Sequence, residues 1–180
     1  ATQYGFSRAE LDSFAAERQR RAAYAQQQGY FDQQITPVLV QSRQSELWID
    51  KDEHLRPQTT VESLSTLKAA FKKDGLVTAG NASGLNDGAA ALMLTSLREA
   101  NRLGARPQAR IAGYSFAGVE PALMGLGPIP AVQKLLTQTG IALSDIDVIE
   151  SNEAFASQAM AVSQTLGFDS HGDLRVVRLS

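Results

Sequence analysis

The chain has 180 residues, of which 43% are hydrophobic, and its 17 basic and 19 acidic side chains leave a formal net charge of −2. This is enough for a sizeable core in one domain or two small ones, and the mixed charges offer no broad electropositive face to nucleic acid. Cysteine is absent, which excludes disulfides, thiolate metal sites and a cysteine nucleophile within these residues. With no apolar run of membrane-spanning length and no signal-like N-terminus, we expect a cytoplasmic chain without nucleic-acid or membrane partners.

The first predicted element is a long helix that begins at a capping box, Ser7-Arg8-Ala9-Glu10, and ends at Gly29. Its thin apolar stripe indicates a structural helix and not a catalytic one. Over residues 34–40 the pattern becomes β-like, and Pro37 favours an edge strand because proline cannot donate to a ladder. Residues 47–49 form a second short apolar patch.

The run Asp50-Lys51-Asp52-Glu53-His54 places carboxylates and an imidazole close together, as a metal site would. Its spacing matches neither an EF-hand loop nor a zinc pattern, and Lys51 stands among the candidate ligands. A solvated acidic loop is therefore favoured. A second helix is predicted from about residue 60 to residue 73, closed by Gly75.

The run Gly80-Asn81-Ala82-Ser83-Gly84-Leu85-Asn86-Asp87-Gly88 is rich in glycine and small polar residues. Such spacing predicts tight turns or a backbone that another group approaches closely. Both standard phosphate-binding patterns are missing from it. Taken alone it is a turn-rich connection, and we place a domain boundary near it.

After this run the pattern predicts a layered α/β core from residue 89 onward. A buried strand is expected over residues 89–94, a helix over residues 96–103 and another strand over residues 111–119. The run Met124-Gly125-Leu126-Gly127-Pro128-Ile129-Pro130 then leads into a further helix, since Pro130 suits a first turn.

The most informative segment is Ser151-Asn152-Glu153-Ala154-Phe155-Ala156. It lies between a predicted strand at residues 146–150 and an Ala-rich helix at residues 154–166 that stops at Gly167. Asn152 is therefore expected at the carboxyl end of a strand, where α/β enzymes often keep functional side chains. Its amide could cap the following helix, or it could orient a water or a carbonyl oxygen, and capping is the commoner role.

The three runs that begin at Gly80, Met124 and Asn152 resemble, in this order, stretches of the thiolases, the acetyl-CoA acetyltransferases, and the similarity extends from about Tyr4 to Asp169. The resemblance implies a partial, layered α/β fold, with a helical α+β loop domain followed by β-α-β-α segments. Residues 1–85 would be most of the loop domain, residues 86–106 would complete the N-terminal half, and residues 107–180 would open the C-terminal half.

The resemblance also implies acyl transfer between acyl-CoA and acetyl-CoA or CoA through a ping-pong thioester mechanism. Acyl-CoA thioesters and coenzyme A would be substrates, with no tightly bound cofactor and no metal. A homo-oligomer is the assembly that it implies.

Individual residues gain expected roles from the same resemblance. Ser83 matches a serine that contacts the pantetheine arm of CoA, and Arg56 matches an arginine near the CoA nucleotide. Asn152 matches the asparagine that holds a water which, beside a histidine, stabilises the oxyanion developing on the thioester. The apolar residues that match the pantetheine and acyl region are Phe71, Ala82, Met124 and Phe155.

The family's chemistry needs two cysteines and the histidine of a Gly-His-Pro motif, and none of these is present. From about residue 170 the sequence departs from the family pattern, and His171 is expected to be a solvated tail residue. We expect either a truncated product, with a frame change near residue 170, or a deliberate fragment, inactive alone. A non-catalytic CoA-binding module and a structural fragment that self-associates through an open sheet edge are the alternatives.

Overall fold

The computed structural model describes residues 1–41, 45–168 and 175–179, the last of these by backbone alone. The chain divides into two compact units, one made of Ala1–Gly84 with Val148–Ser180 and the other of Leu85–Asp147. The start of the divergent tail and His171 lie outside the described residues, so the expectation of a frame change stays a prediction.

Helix α1 (Arg8–Gln27) is the longest described element of the first unit. The Ser7 hydroxyl accepts from the backbone N–H of Glu10 and the Glu10 carboxylate accepts from the Ser7 N–H, which confirms the predicted capping box. Gly29 has a φ of 69°, a left-handed conformation that ends the helix as expected. Leu11 is fully buried on the inner face.

Strands β1 (Val38–Gln41) and β2 (Glu46–Ile49) form an antiparallel pair in which Val38 lies opposite Ile49. β1 begins directly after Pro37, so the proline stands where no ladder hydrogen bond is required of it. This confirms the predicted edge strand in its second half, while the apolar patch at residues 47–49 forms the partner strand, which the sequence had not predicted.

The second predicted helix is much shorter than expected, because α2 covers only Val61–Ser65. The hydroxyls of Ser63, Ser65 and Thr66 each donate to the carbonyl three residues earlier, at 2.7–2.8 Å. Such local bonds compete with the helical ladder. The chain then turns back, and the N–H of Ala70 donates to the carbonyl of Val77 at 2.8 Å.

Strand β3 (Val148–Asn152) pairs in parallel with β4 (Arg175–Leu179). After a short turn, α5 (Ala156–Leu166) packs against α1 and ends at Gly167 in the left-handed conformation. The predicted strand and helix are both confirmed, and each starts two residues later than expected.

The second unit contains α3 (Leu97–Arg102), capped by Ser96, and α4 (Pro128–Thr139), preceded by a 3-10 turn over Pro121–Leu126. Both predicted helices are confirmed. The strands expected over residues 89–94 and 111–119 are wrong, since both stretches lack regular structure. No strand in this unit, all of which is described, can pair with them, and an unpaired strand leaves its backbone groups without ladder bonds.

Residues 111–119 instead lie along α4. The Ser115 hydroxyl donates to the Ala131 carbonyl at 2.5 Å, and the Lys134 ammonium donates to the Phe116 carbonyl at 3.4 Å. A Cβ atom on Gly113 would come within 2.8 Å of the Thr139 side chain, so the contact is close.

The described elements are helices with one antiparallel and one parallel strand pair, in agreement with a partial α/β fold. None of the helices among the described residues has the length and apolar character required to cross a membrane.

Candidate functional site

The glycine-rich run crosses the turn between β3 and α5 in the first unit. The N–H of Ser83 donates to the carbonyl of Ala154 at 2.7 Å, and the N–H of Ala156 donates to the carbonyl of Asn81 at 2.9 Å. An antiparallel bridge pairs Ala82 with Phe155 between these two bonds. We call residues 81–83 and 154–156 the loop crossing. Two of the three runs singled out in the sequence thus form one local structure.

Asn152 is the last residue of β3 and is exposed. The helix that follows is capped at Phe155 without a side-chain hydrogen bond, so the alternative in which Asn152 caps α5 is wrong. Among the described residues, the Asn152 amide makes no hydrogen bond. The Asn152 amide is therefore open to solvent in this part of the chain.

An aromatic pair lies next to the loop crossing. The rings of Phe71 and Phe155 meet edge to face with centroids 6.5 Å apart, and Phe71 is 78% exposed. Ser83 is exposed beside Ala82. An exposed apolar ring surface and an exposed hydroxyl within one local structure suit a ligand with both apolar and polar parts. The structure places five predicted residues on or directly beside the loop crossing, and we call them the site cluster: Phe71, Ala82, Ser83, Asn152 and Phe155.

Two predicted site residues lie elsewhere. Arg56 follows β2 on an exposed loop, where its backbone N–H donates to the side-chain carbonyl of Gln19 at 2.8 Å. Met124 belongs to the second unit, in the 3-10 turn before α4, and is 68% exposed. Their expected roles stay predictions.

The acidic run at residues 50–54 is exposed, and the carbonyl of Asp52 accepts from the Gln26 amide at 3.3 Å. Within the described ranges, no group of three or more His, Cys, Asp or Glu side chains is placed to hold a metal ion.

A buried polar network that the sequence did not reveal holds the glycine-rich run. The Asn81 amide donates to Asp12 Oδ1 at 3.0 Å and to the Leu76 carbonyl at 3.0 Å, and its oxygen accepts from the Thr78 N–H at 2.9 Å. Arg8 Nε donates to Asp12 Oδ2 at 2.6 Å. Asp12 and Asn81 are each 1% exposed, so these bonds replace hydration that both side chains have lost.

A second buried contact holds the other half of the loop crossing. Arg18 Nε lies 2.9 Å from Glu153 Oε2, with side-chain exposures of 12% and 2%. One indication of these contacts is present in the sequence. It places Asp12 and Arg18 in the same predicted helix as Leu11 and Ala15, two residues that the structure buries. Charged side chains in such positions are nearly always paired, but their partners could not be named without the tertiary structure.

Two family models match this sequence. One, described as "Thiolase, N-terminal domain", matches residues 1–98, and the other, described as "Thiolase, C-terminal domain", matches residues 105–175. The first alone covers more than half of the chain.

Curated relatives and solved structures are similar over almost the whole chain. Its identity to the β-ketoadipyl-CoA thiolase of Pseudomonas putida is 51% over 167 residues, which cover 93% of this chain and 42% of the relative. The identity to the acetyl-CoA acetyltransferase of Pseudomonas aeruginosa is 52% over 170 residues, covering 94% and 43%.

The crystal structure of the Bacillus anthracis acetyl-CoA acetyltransferase superposes with a TM-score of 0.91 and 48% identity, covering 97% of this chain and 44% of that one. Human mitochondrial 3-ketoacyl-CoA thiolase superposes with a TM-score of 0.89 and 43% identity, covering 94% and 43%. The chain therefore spans less than half the length of these relatives.

Proposed function

The chain belongs to the thiolase family, and we propose that it is part of an acetyl-CoA C-acetyltransferase that moves acyl groups between acyl-CoA and acetyl-CoA or CoA. The observation that carries this proposal is the loop crossing, in which Ser83 is bonded to the turn between Asn152 and α5. The names of its relatives support CoA thioesters as the substrate class.

Different members of the site cluster would contact different parts of the CoA molecule. The exposed Ser83 hydroxyl offers a donor and an acceptor to the amides of a pantetheine arm, and the Phe71 and Phe155 rings offer apolar surface to its methylenes. Ala82, which pairs with Phe155 in the loop crossing, would add to this apolar surface. Met124 would add to the apolar lining, and Arg56 would lie near the nucleotide end of CoA. CoA would enter and leave as a substrate, without a tightly bound cofactor.

Asn152 would act on the thioester carbonyl. When a nucleophile adds to that carbonyl, negative charge develops on its oxygen, and an amide N–H that holds a water there stabilises the charge. A single preorganised donor of this kind contributes about 3 kcal/mol to transition-state stabilisation. Because the amide does not titrate, this contribution is independent of pH.

The acyl-accepting nucleophile is not among these 180 residues, since the sequence contains no cysteine. Ping-pong transfer needs a thiolate that forms a thioester with the acyl group and releases CoA. We therefore propose that the chain by itself does not turn over and that the nucleophile and its base come from other residues.

A turnover assay tests this. The purified chain is incubated with acetoacetyl-CoA and CoA, with an intact acetyl-CoA acetyltransferase as the positive control. We expect no loss of acetoacetyl-CoA above the buffer rate, and measurable turnover would refute the proposed inactivity.

Sequencing the source locus tests the proposed parentage. An in-frame cysteine-containing thiolase segment upstream and a Gly-His-Pro motif downstream are expected. A reading frame that runs undisturbed to a natural stop, with neither the upstream cysteine-containing segment nor the Gly-His-Pro motif, would contradict the proposed parentage.

One observation favours self-association as a second role. Large apolar side chains of the second unit are exposed, among them Leu92 at 90%, Met93 at 89% and Phe116 at 79%. Apolar surface of this extent favours association in water. We propose a homo-oligomer in the cytoplasm, and a strictly monomeric light-scattering profile across concentrations would count against the assembly.

A non-catalytic CoA-binding module is ranked below both roles. Calorimetry with CoA checks it, because saturable heat that weakens in Ser83→Ala supports such a module and the absence of heat excludes it.

A further inference from the structure

Helix α1 contacts three of the four segments that carry predicted site residues in the first unit. The three contacts are Asp12 with Asn81, Arg18 with Glu153, and Gln19 with the backbone of Arg56. A helix that the sequence marked as purely structural therefore touches the segments that carry Arg56, Ser83 and Asn152.

We propose that Arg18 is a positioning residue for Asn152 and acts through Glu153. The inference rests on the proposed function, in which Asn152 faces the thioester oxygen. Arg18 lies far from Asn152 in the sequence, and nothing in the family resemblance assigned it a role. Glu153 directly follows Asn152, so whatever holds the Glu153 side chain also sets the backbone from which the Asn152 side chain projects.

The burial of the pair explains why the contact is restrictive. The Glu153 side chain is 2% exposed and that of Arg18 is 12% exposed. A carboxylate at this depth is stable only with its cation beside it, because neither group can recover its hydration. The Arg18 guanidinium carbon also lies 5.9 Å from the centre of the Phe14 ring, a cation–π contact that limits where the guanidinium can go.

The Arg18–Glu153 pair constrains a short backbone segment that lies between two hydrogen-bonded regions. On one side, β3 is held by its pairing with β4 up to Asn152. On the other side, Ala154 and Ala156 are held by hydrogen bonds to Ser83 and Asn81. Between these anchors, the Glu153 side chain ties the turn to α1. Removing its partner is expected to let the backbone at Glu153 rotate and to weaken the adjoining hydrogen bond from Ala156 to Asn81.

A role confined to stability would behave differently. It would change the free energy of unfolding but leave the folded state as it is, so the Asn152 side chain would keep its environment. A positioning role alters the folded state itself. The two can be separated by observing Asn152 under conditions where the chain is folded.

The Asn152 side chain can be observed by nuclear magnetic resonance of the 180-residue chain labelled with a nitrogen isotope. The variants are Arg18→Met, which keeps the apolar stem but removes the charge, and Arg18→Lys, which keeps the charge on a single donor group. Arg20→Met is the matched control, because Arg20 lies on the same helix in an exposed pair with Glu17. Ala23→Gly destabilises the same helix without touching a charge. The readouts are the Asn152 side-chain amide signals, the exchange rate of the Ala156 amide, and the urea midpoint.

In Arg18→Met we expect shifted Asn152 amide signals and an Ala156 amide that exchanges at least about tenfold faster. Arg18→Lys is expected to recover part of both effects, and it serves as the test if Arg18→Met does not fold. Arg20→Met should change neither readout, and Ala23→Gly should lower only the midpoint. Unmoved Asn152 signals in the folded Arg18 variants would overturn the inference.

These measurements need no turnover. A chain that shows turnover refutes the proposed inactivity and leaves the Arg18 result as it stands, whereas unmoved Asn152 signals refute the positioning role and leave the acyltransferase proposal as it stands.

Discussion

The glycine-rich run is packed differently in the two units. In the first unit, the early part of the glycine-rich run is enclosed, with Asn81 at 1% exposure and bonded on both sides of its amide. In the second unit, the end of the same run continues into an irregular stretch in which Leu92 is 90% exposed. The run is buried where polar side chains of α1 lie opposite it and is exposed where it continues towards Leu92.

Among the changes to the run and its polar partners, the largest expected effect comes from removing the carboxylate that holds the buried part of the run. Asp12→Ala leaves the Asn81 amide and the Arg8 guanidinium without their shared partner in the first unit. We expect a loss of about 3 kcal/mol in the free energy of unfolding. Urea denaturation followed by circular dichroism measures it. Asp145→Ala in the second unit, where the carboxylate is exposed and accepts from one backbone N–H, is the matched control. Equal midpoints for the two variants would contradict the comparison.

A smaller effect is expected from crowding the same run. A Cβ atom on Gly80 would lie 2.3 Å from Leu64 Cδ2, and Leu64 is 5% exposed, whereas a Cβ atom on Gly88 meets nothing within 4 Å. Gly80→Ala should cost about 1–2 kcal/mol of unfolding free energy, since overpacking forces neighbouring side chains to move. Gly88→Ala should cost nothing measurable. If the order of the two thermal midpoints were reversed, the run would not be packed as described.

The exposed apolar stretch of the second unit should tolerate polar substitution. Leu92→Ser is expected to change the unfolding free energy by less than about 0.5 kcal/mol, because the side chain has little burial to lose. The same variant should self-associate less, as measured by light scattering at several concentrations. Leu11→Ala, at a fully buried position of α1, should by contrast cost about 2–5 kcal/mol. A large stability loss in Leu92→Ser would show that the stretch is packed in solution.

The smallest effect concerns the outer face of α1. Hydrogen bonds from Arg20 and Arg21 lower the pKa of Glu17 to about 2 from its ordinary 4.5. Because the folded-state pKa is lowered, this carboxylate stabilises the fold above about pH 4.5, and the contribution disappears as the pH falls towards 2. The pairs are solvent-exposed, so the expected contribution is below about 0.5 kcal/mol and falls with added salt.

The difference in unfolding free energy between the original chain and Glu17→Gln, followed against pH, checks this expectation. A difference that grows as the pH falls would contradict it.

Local features were predictable because their causes lie within a few residues. The capping box at Ser7 and the left-handed glycines that end α1 and α5 follow from groups three or four positions apart. The position of Asn152 at the end of β3 followed from the same kind of pattern. The resemblance predicted site residues on both the glycine-rich run and the Asn152 segment, and the loop crossing shows that the two segments meet.

The wrong predictions concern segments whose secondary structure depends on residues far away in the sequence. The helix predicted over residues 60–73 ends at Ser65, where local hydroxyl bonds and the turn towards Val77 outweigh an apolar stripe. The strands predicted over residues 89–94 and 111–119 have the right composition, but no neighbouring strand in their unit completes a ladder. The pairing of Arg18 with Glu153 could not be predicted from the sequence either, because the two residues are far apart in it.

The sequence by itself determined the family resemblance, the ends of the long helices and the place of Asn152, because each depends on residue identity and short-range bonding. Only the tertiary structure decided which apolar segments become strands, which charges are buried in pairs, and that α1 holds the turn beside Asn152. Buried charges and strand edges are stable only when a partner lies opposite, and that partner is supplied by residues far away in the sequence.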